Sequence, residues 1–389
     1  MEIMPMRYGQ LQEALEGYRE TGRALVAHSA EGFRPAGFSD DIGSYYFIPK
    51  LAVVAGLPLD EAITAFYWLI MSGAVIFGCA GFALLFRSTT ALLLSTTMLG
   101  VLSYVTLFRV RDVYVVSCAV PLALIPVFLW IAKSDAKGFV LTAFSGVAGL
   151  CISLAHYVRS HSGTGVLVFL FVAIFWHVQL ATLRRFTVLG SLVLGMLIGH
   201  GFFQVLIMER DHYLAEHVVE EEVLPLTKHP FWHSVYIGLG FLNNSYGITY
   251  LDEVAIEKVR SVAPSARYLS DDYEKVLRQE VIRVISDHPA FFLRTLFAKF
   301  GVIIMYMLIS INVGLLTLRS NPIPQSLTMA FWCAIVFHAL VGFLVIPTVS
   351  YLLGMIAFGA LYTVLYLNMS IVGKLPRIQG VPLSFAQRS

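Results

Sequence analysis

Long apolar runs alternate with polar stretches along this chain in a pattern typical of membrane-spanning helices. Runs of about 20 residues can cross a hydrocarbon core of about 30 Å. Backbone polar groups in lipid must be satisfied within their own segment, which favours helices. The pattern therefore predicts an all-α polytopic membrane protein with nine spans, at residues 62–86, 90–108, 113–132, 139–156, 164–181, 187–207, 300–318, 326–346 and 349–371.

The acidic residues are concentrated in two polar stretches that flank the first six spans. Of the 25 carboxylates, 23 lie in Met1–Glu61 and Met208–Ala298, and the apolar runs contain none. An even number of crossings returns the chain to its starting side, so we expect both stretches to face one compartment. The chain then divides into an N-terminal segment, a six-helix membrane module, a cap of amphipathic helices, a three-helix membrane module and a tail: 1–61, 62–207, 208–298, 299–372 and 373–389.

Basic residues in the connections predict the orientation of the spans. Nine lie on one side: Arg87, Lys133, Lys137, Arg184, Arg185, Arg319, Lys374, Arg377 and Arg388. Three lie in the short loops of the other side: Arg109, Arg111 and Arg159. The larger set predicts the cytoplasmic side, with the C-terminus included, in a plasma membrane that we take as bacterial. Both acidic stretches are then extracytoplasmic. The N-terminus has no signal-peptide pattern, so either residues 1–61 cross unaided or, as we expect, a first transmembrane helix is missing.

Composition excludes several classes of protein. The chain is 57% hydrophobic and 13% charged, with a mean hydropathy of +0.74, whereas soluble domains carry about 25% charged residues. The net charge of +2 forms no basic patch, so we expect membrane lipids and no nucleic acid as partners. The four cysteines lie in apolar runs and predict neither disulfides nor a metal site.

Two amphipathic helices are predicted outside the spans. The first carries apolar residues at near-helical spacing and would lie along the membrane interface: Leu11, Leu15, Tyr18 and Leu25. The second lies in the cap and has its own apolar stripe: Tyr273, Val276, Leu277, Val281, Val284 and Ile285. His288–Pro289 should end this second helix, and a new helix should start there and lead into the seventh span.

Carboxylates at two predicted extracytoplasmic positions could carry chemistry. Asp40 and Asp41 precede the first span, where one of them could act as a general base on an acceptor hydroxyl. A solvated turn with Asp40 as a helix N-cap is the alternative. Asp112 follows Arg109 and Arg111 at the end of the second span. These guanidiniums could hold a phosphate while the acid orients a metal or an arginine, or they could simply lie at the interface.

Three further cations lie at helix ends on the same predicted side. Arg159 follows the fourth span and could meet an anionic lipid headgroup. Lys299 lies at the base of the seventh span with Arg294 about one turn above it, and both could bind phosphate. Anchoring of the helix ends at the interface is the alternative for all three.

One segment of the cap combines histidines, aromatic residues and amides. His229 and His233 have the spacing of two zinc ligands on a helix, but no Glu lies between them and a proline interrupts the turn, which disfavours a metalloprotease. Trp232 and Tyr236 could stack on a sugar ring or lie at the interface. Asn243 opens a run of hydrogen-bonding side chains suited to a hydroxylated sugar or acceptor.

Three segments resemble the C-type glycosyltransferase (GT-C) superfamily, whose polytopic members use polyprenyl-phosphate sugar donors. They are SDDIGSYYFIP before the first span, RVRD at the next external turn, and DDYEKVLRQEVIRVISDHPAFFLRTLFAKF late in the cap. The likeness in layout extends over most of the chain, although each motif is short. It implies an inverting glycosyltransferase that moves a sugar from a polyprenyl-phosphate donor to a glycan, lipid or protein acceptor.

The resemblance also implies roles for individual residues. Asp41, or else Asp40, would be the catalytic base, and Asp112 would be the second acid. Asp112 would bind a divalent cation such as Mg²⁺ or Mn²⁺, with Asp41, or would position an arginine; whether a metal is needed stays open. Five cations are candidates for the donor phosphate: Arg109, Arg111, Arg159, Arg294 and Lys299.

The chain departs from the superfamily pattern in three respects. The expected first helix is missing, Asp112 is not part of an Asp-x-Asp pair, and nine spans are few. Two other classes are therefore considered: a transporter or flippase of a lipid-linked saccharide, which should carry charges or broken helices near the midplane, and a scaffold that kept the fold and lost the reaction. The sugar and the acceptor are not determined by the sequence.

Overall fold

A computed structural model describes residues 5–37, 41–134, 137–218, 231–318 and 323–374 of the chain. These residues form mainly α-helices, with one antiparallel hairpin of two strands, β1 Val26–Ser29 and β2 Gly32–Pro35. The helices are α1 Pro5–Thr21, α2 Ser44–Ala55, α3 Leu59–Leu85, α4 Thr89–Val105, α5 Val115–Lys133, α6 Lys137–Val158, α7 Thr164–Val172, α8 Thr182–His217, α9 Phe231–Gly238, α10 Asp252–Val262, α11 Asp271–Asp287, α12 Pro289–Ile311, α13 Gln325–Leu344 and α14 Val349–Lys374. The all-α prediction is confirmed.

Eight helices in the described part of the chain are long and apolar enough to cross a membrane. The fifth predicted span differs, because its helical part, Thr164–His177, is shorter and ends in π-helical turns. The helix α8 runs for 36 residues and continues beyond the predicted boundary at 207. The helix α12 begins eleven residues before the predicted boundary at 300. In both cases the helix continues into polar sequence, whereas a hydropathy boundary marks only where apolar residues stop.

The helices α6 and α8 pack side by side and run in the same direction. Ser191 donates to the carbonyl of Thr142 at 2.8 Å, and further along both helices Tyr157 and His200 are joined at 2.7 Å. Glycines at 195 and 199 let α8 approach α6 closely, because an added methyl at either position would overlap α6. Since both helices run the same way, the segment 159–181 between them returns through the bundle.

The N-terminal segment covers the end of the bundle at which α6 stops, here called the polar end. Leu11 and Leu15 of α1 are buried, which confirms a helix with a buried apolar face, whereas Leu25 lies beyond its end, before β1. The position of this helix along the membrane interface stays a prediction. The turn before α2 is fixed to α6, because the amide of Gly43 donates to the carbonyl of Tyr157 at 2.7 Å. The sequence around Asp41 is therefore held directly on the polar end.

The helices α9, α10 and α11 form a second hydrophobic core over this same end, here called the outer layer (residues 231–287). Tyr273, Leu277 and Val281 of α11 are buried in it, which confirms the second predicted amphipathic helix. That helix ends at Asp287 and the next begins at Pro289, as predicted. The polar end and the outer layer together enclose the candidate site.

Candidate functional site

A buried cluster of charges joins α1 to the starts of two helical segments. Arg7 donates from Nε to Oδ2 of Asp41 at 2.7 Å and from Nη1 to Oδ2 of Asp112. Asp41 is fully buried, and Asp112 is 5% exposed. Burial by itself lowers the pKa of Arg7, but the charges of Asp41 and Asp112 outweigh it and raise that pKa well above its ordinary value. Arg7 is therefore a permanent cation between two acids; Asp40 lies outside the described residues.

The backbone that carries Asp112 is strained. Arg111 and Asp112 both have a positive φ, 59° and 60°, in the left-handed region that non-glycine residues occupy at a cost of about 1–3 kcal/mol each. This turn directs Asp112 towards Arg7, and its Oδ1 accepts from the amide of Val113 at 2.8 Å. The side chain of Arg111 instead donates to the carbonyl of Phe108 at 3.0 Å. Strain of this kind clusters at functional sites.

A cavity of about 420 Å³ opens beside this cluster, between the polar end and the outer layer. Its volume lies within the range of about 300–1,000 Å³ that is usual for small-molecule sites. Arg7 and Arg159 line it on the bundle side, and His233 and Asp252 line it on the outer-layer side. Neither carboxylate that holds Arg7 is among the described residues that line the cavity. The carboxylates of Asp41 and Asp112 therefore lie on the side of Arg7 that faces away from the cavity.

A chain of aromatic residues connects Arg159 to the outer layer. The Arg159 guanidinium lies 4.9 Å from the ring centre of Tyr114 and donates to its hydroxyl at 3.3 Å. The Tyr114 ring packs edge-on against Tyr351, whose hydroxyl is 2.9 Å from that of Tyr250. Burial raises the pKa of Tyr250 to about 12, so this hydroxyl keeps its proton at neutral pH. These contacts fix Arg159 and tie the outer layer to α14.

The outer-layer side of the cavity carries a hydrogen-bonded series of three side chains. Nδ1 of His233 lies 2.8 Å from the hydroxyl of Tyr273, and its Nε2 lies 3.0 Å from Oδ1 of Asp252. Glu274 accepts hydrogen bonds from the backbone amides of Trp232 and His233, at 2.7 and 3.0 Å. Those amides belong to the first turn of α9, so Glu274 caps the helix that carries His233.

The cavity continues into the bundle along polar side chains. Ser117 and Ser162 are buried and hydrogen-bonded to each other at 2.8 Å. His338 is 4% exposed and its ring lies between Gly165 and Gly354, where an added methyl group would overlap the ring. The two glycines thus make room for the ring of His338 at the end of the cavity that lies within the bundle.

Of the five cations predicted to bind the donor phosphate, Arg159 is the one that lines the cavity. Arg109 and Arg294 are exposed elsewhere, and Arg111 bonds its own turn. Lys299 is buried and donates to three carbonyl oxygens at the end of α13, at 2.6–3.5 Å. Lys299 is thus a C-terminal cap of α13 rather than a cation that faces the cavity.

The residues predicted to bind sugar or acceptor are also separated. His233 lines the cavity. Trp232 packs against the core of the outer layer, Tyr236 is buried in it, and Asn243 is exposed. His229 lies outside the described residues. Of the described residues in this group, His233 is therefore the one that could contact a sugar or an acceptor in the cavity.

The two aspartates expected as metal ligands do not fit a divalent cation in this arrangement. Arg7 already occupies the position between them and engages one oxygen of each. The described residues contain no group of three or more His, Cys, Asp or Glu side chains suited to a metal. The alternative prediction, in which Asp112 positions an arginine, agrees with the contacts, but the arginine is Arg7 rather than Arg109 or Arg111.

Sequence reasoning missed Arg7, although a signal for it was present. Arg7, Leu11 and Leu15 are four residues apart, so Arg7 lies on the face of α1 that those leucines bury. A cation on the buried face of an amphipathic helix requires an acidic partner. The same reasoning could not identify Asp41 and Asp112, which are 34 and 105 positions away.

Comparison of the chain with family models, with curated proteins and with solved structures gives no match.

Proposed function

We propose that this protein is an inverting glycosyltransferase that moves a sugar from a polyprenyl-phosphate donor to a glycan, lipid or protein acceptor of the cell envelope. One observation carries the proposal: Arg7 and Arg159 line a single cavity at the polar end of a bundle of membrane-length helices. Guanidiniums bind phosphate through paired hydrogen bonds. A lipid phosphate reaches such a cavity from the bilayer surface.

The proposed membrane arrangement has nine crossings, with Thr164–His177 as a short fifth span. The parallel packing of α6 and α8 supports this, because the segment between them must return through the bundle. The polar end would face the extracytoplasmic side of a bacterial plasma membrane, with the outer layer as its cap. The larger set of basic connections would face the cytoplasm.

In the proposed reaction, the acceptor hydroxyl attacks the anomeric carbon from the side opposite the phosphate. The bond from that carbon to the phosphate oxygen breaks, and its electron pair stays on the phosphate. Arg7 and Arg159 stabilise the charge of the leaving polyprenyl phosphate. No metal step is required, because Arg7 supplies the positive charge beside Asp41 and Asp112.

The contacts of Asp41 favour a supporting role over that of the base. Asp41 is fully buried, pairs with Arg7 and is not among the described residues that line the cavity, so an acceptor hydroxyl in the cavity does not contact its oxygens. We therefore propose that Asp41 and Asp112 together orient Arg7 towards the donor phosphate. The prediction that Asp41 is the base is the alternative, and a comparison of variants separates the two roles.

The test is sugar transfer from a polyprenyl-phosphate donor by purified protein in detergent. We expect Arg159→Gln to lower activity roughly ten- to hundredfold, because it removes hydrogen bonds to a charged group worth about 1.5–3 kcal/mol. Asp41→Asn and Asp112→Asn should lower activity to similar extents. A far larger loss in Asp41→Asn alone would restore Asp41 as the base. Asp287→Asn, an exposed change at the end of α11, is the matched control.

Two results would overturn the proposal in favour of the other classes. Movement of a lipid-linked saccharide across vesicle membranes without any transfer product would indicate a flippase. Absence of both transfer and transport by a wild-type protein that still binds polyprenyl phosphate would indicate a scaffold without catalysis.

A further inference from the structure

We infer that Asp252, oriented by His233 and Tyr273, is the general base that takes the proton of the acceptor hydroxyl. The inference rests on the proposed sugar transfer and names the one group that the proposed mechanism leaves open. Asp252 and His233 line the cavity from the outer layer, whereas Arg7 and Arg159 line it from the bundle. The base and the leaving-group cations would thus lie on opposite sides of one site.

The contacts of His233 determine which of its nitrogens carries the proton. A carboxylate oxygen accepts hydrogen bonds, so Nε2 of His233 carries the hydrogen and donates to Oδ1 of Asp252 at 3.0 Å. In a neutral imidazole Nδ1 is then the acceptor, and the Tyr273 hydroxyl, 2.8 Å away, donates to it. This series holds the Asp252 carboxylate in one orientation.

Asp252 is accessible in the way that a base must be. Its side chain is 49% exposed, whereas the carboxylate of Asp41 is fully buried. In the described part of the chain, Oδ1 of Asp252 is engaged by His233 and Oδ2 has no hydrogen-bond donor. The free oxygen can accept the proton of a hydroxyl in the cavity at hydrogen-bonding distance.

The residues around the His233–Asp252 pair hold His233 in position. Glu274 caps the first turn of α9 and so fixes the backbone of His233. Tyr250 also lines the cavity, and its hydroxyl is held 2.9 Å from that of Tyr351. Among the residues that the structure describes, the titratable groups near the pair include Tyr250, Glu253, Tyr268, Tyr273 and Glu274.

The step balances without a further reactant. The oxygen of the acceptor forms its bond to the anomeric carbon as its hydrogen passes to Oδ2 of Asp252. The bond from the anomeric carbon to the phosphate oxygen breaks, and polyprenyl phosphate leaves as an anion beside Arg7 and Arg159. Asp252 then releases its proton to water, which regenerates the carboxylate.

The test compares wild type with Asp252→Asn. Loss of a general base lowers the rate about 10²- to 10⁴-fold, so we expect Asp252→Asn to lose at least a hundredfold in kcat. Equilibrium binding of polyprenyl phosphate should stay within about twofold, because the donor cations are intact. Glu257→Gln, an exposed change on the same helix, should keep wild-type turnover.

Tyr273→Phe tests the positioning residues separately from folding. It keeps the buried ring and removes the hydroxyl that holds Nδ1, so we expect an altered pH–rate profile with unchanged donor binding. Asp252→Asn with at least half of wild-type kcat and an unchanged pH–rate profile would overturn this inference alone. A wild-type protein that transfers no sugar would overturn the proposed function and this inference with it.

Discussion

Arg7 shows how far a single residue can be understood from sequence. Its four-residue spacing from Leu11 places it on the buried face of α1, and that much can be read from the helix period. Its partners cannot, because the chain must fold before Asp41 and Asp112 approach the same guanidinium. Asp41 and Asp112 were predicted to be chemically active, and the contacts add Arg7, a neighbour that the prediction lacked.

Metal removal is predicted to leave the activity unchanged. Arg7 engages an oxygen of both Asp41 and Asp112, so no divalent cation is needed to offset their charges. The measurement is sugar transfer before and after incubation with EDTA, with Arg7→Gln as the comparison variant. Activity that EDTA abolishes and that Mg²⁺ or Mn²⁺ restores in wild type would contradict the account of this cluster.

Lys299 is predicted to matter for stability rather than for donor binding. Lys299→Met should lower the free energy of unfolding by about 1.5–3 kcal/mol, because it removes charged hydrogen bonds to the end of α13. Thermal unfolding in detergent measures this change, with the exposed Arg294→Gln on the same helix as control. Weakened binding of polyprenyl phosphate with unchanged stability would show that Lys299 faces the donor. Its carbonyl partners are 44–46 positions away and could not be predicted from sequence.

At the level of elements, hydrophobic pattern and helix-breaking residues predicted most of the architecture. The amphipathic α11 and the break at Pro289 follow directly from side-chain period and proline chemistry. The lengths of α8 and α12 did not follow, because both helices continue into polar sequence beyond the apolar run. The hairpin β1–β2 was missed altogether, since its strands of four residues carry little pattern.

The docking of α1 on the hairpin gives a prediction with a matched control on one helix. A methyl group at Gly17 would overlap the backbone carbonyl of Val26, whereas one at Gly9 meets nothing within 4 Å. Gly17→Ala should therefore destabilise by about 1–3 kcal/mol and lower transfer activity, because α1 carries Arg7. Gly9→Ala should stabilise slightly, by roughly 0.5–1 kcal/mol.

Melting temperature and sugar transfer measured on both glycine variants check this prediction. Full activity and an unchanged melting temperature in Gly17→Ala would mean that α1 does not need its packing against β1 to hold Arg7.

At the scale of the whole molecule, the most useful inference from sequence was that an even number of crossings would place both acidic stretches on one side. Residues of the two acidic stretches, between which the sequence predicts six spans, meet at one end of the bundle, where Arg7 and Asp252 line the same cavity. The cavity itself was not predictable, because it depends on how α9 and α10 lie over α5, α6 and α14. Of the predicted residues, that packing brings Arg159 and His233 to the cavity. It leaves Arg109, Arg294 and Asn243 away from it.

The compartments of the polar stretches can be measured by cysteine labelling in sealed vesicles. In a variant with the native cysteines replaced by alanine, Glu31→Cys and Ser265→Cys should react with an impermeant maleimide from the same side. Thr89→Cys, at the opposite end of the bundle, should react from the other side. Labelling of positions 31 and 265 from opposite sides would contradict the shared cavity.

The central claim is that Arg7 and Arg159 together hold a lipid phosphate, and equilibrium binding tests it most directly. Titration of purified protein with polyprenyl phosphate should give saturable binding that Arg159→Gln and Arg7→Gln each weaken roughly tenfold or more. Arg294→Gln should bind like wild type. Equal affinity in wild type, Arg7→Gln and Arg159→Gln would contradict the account.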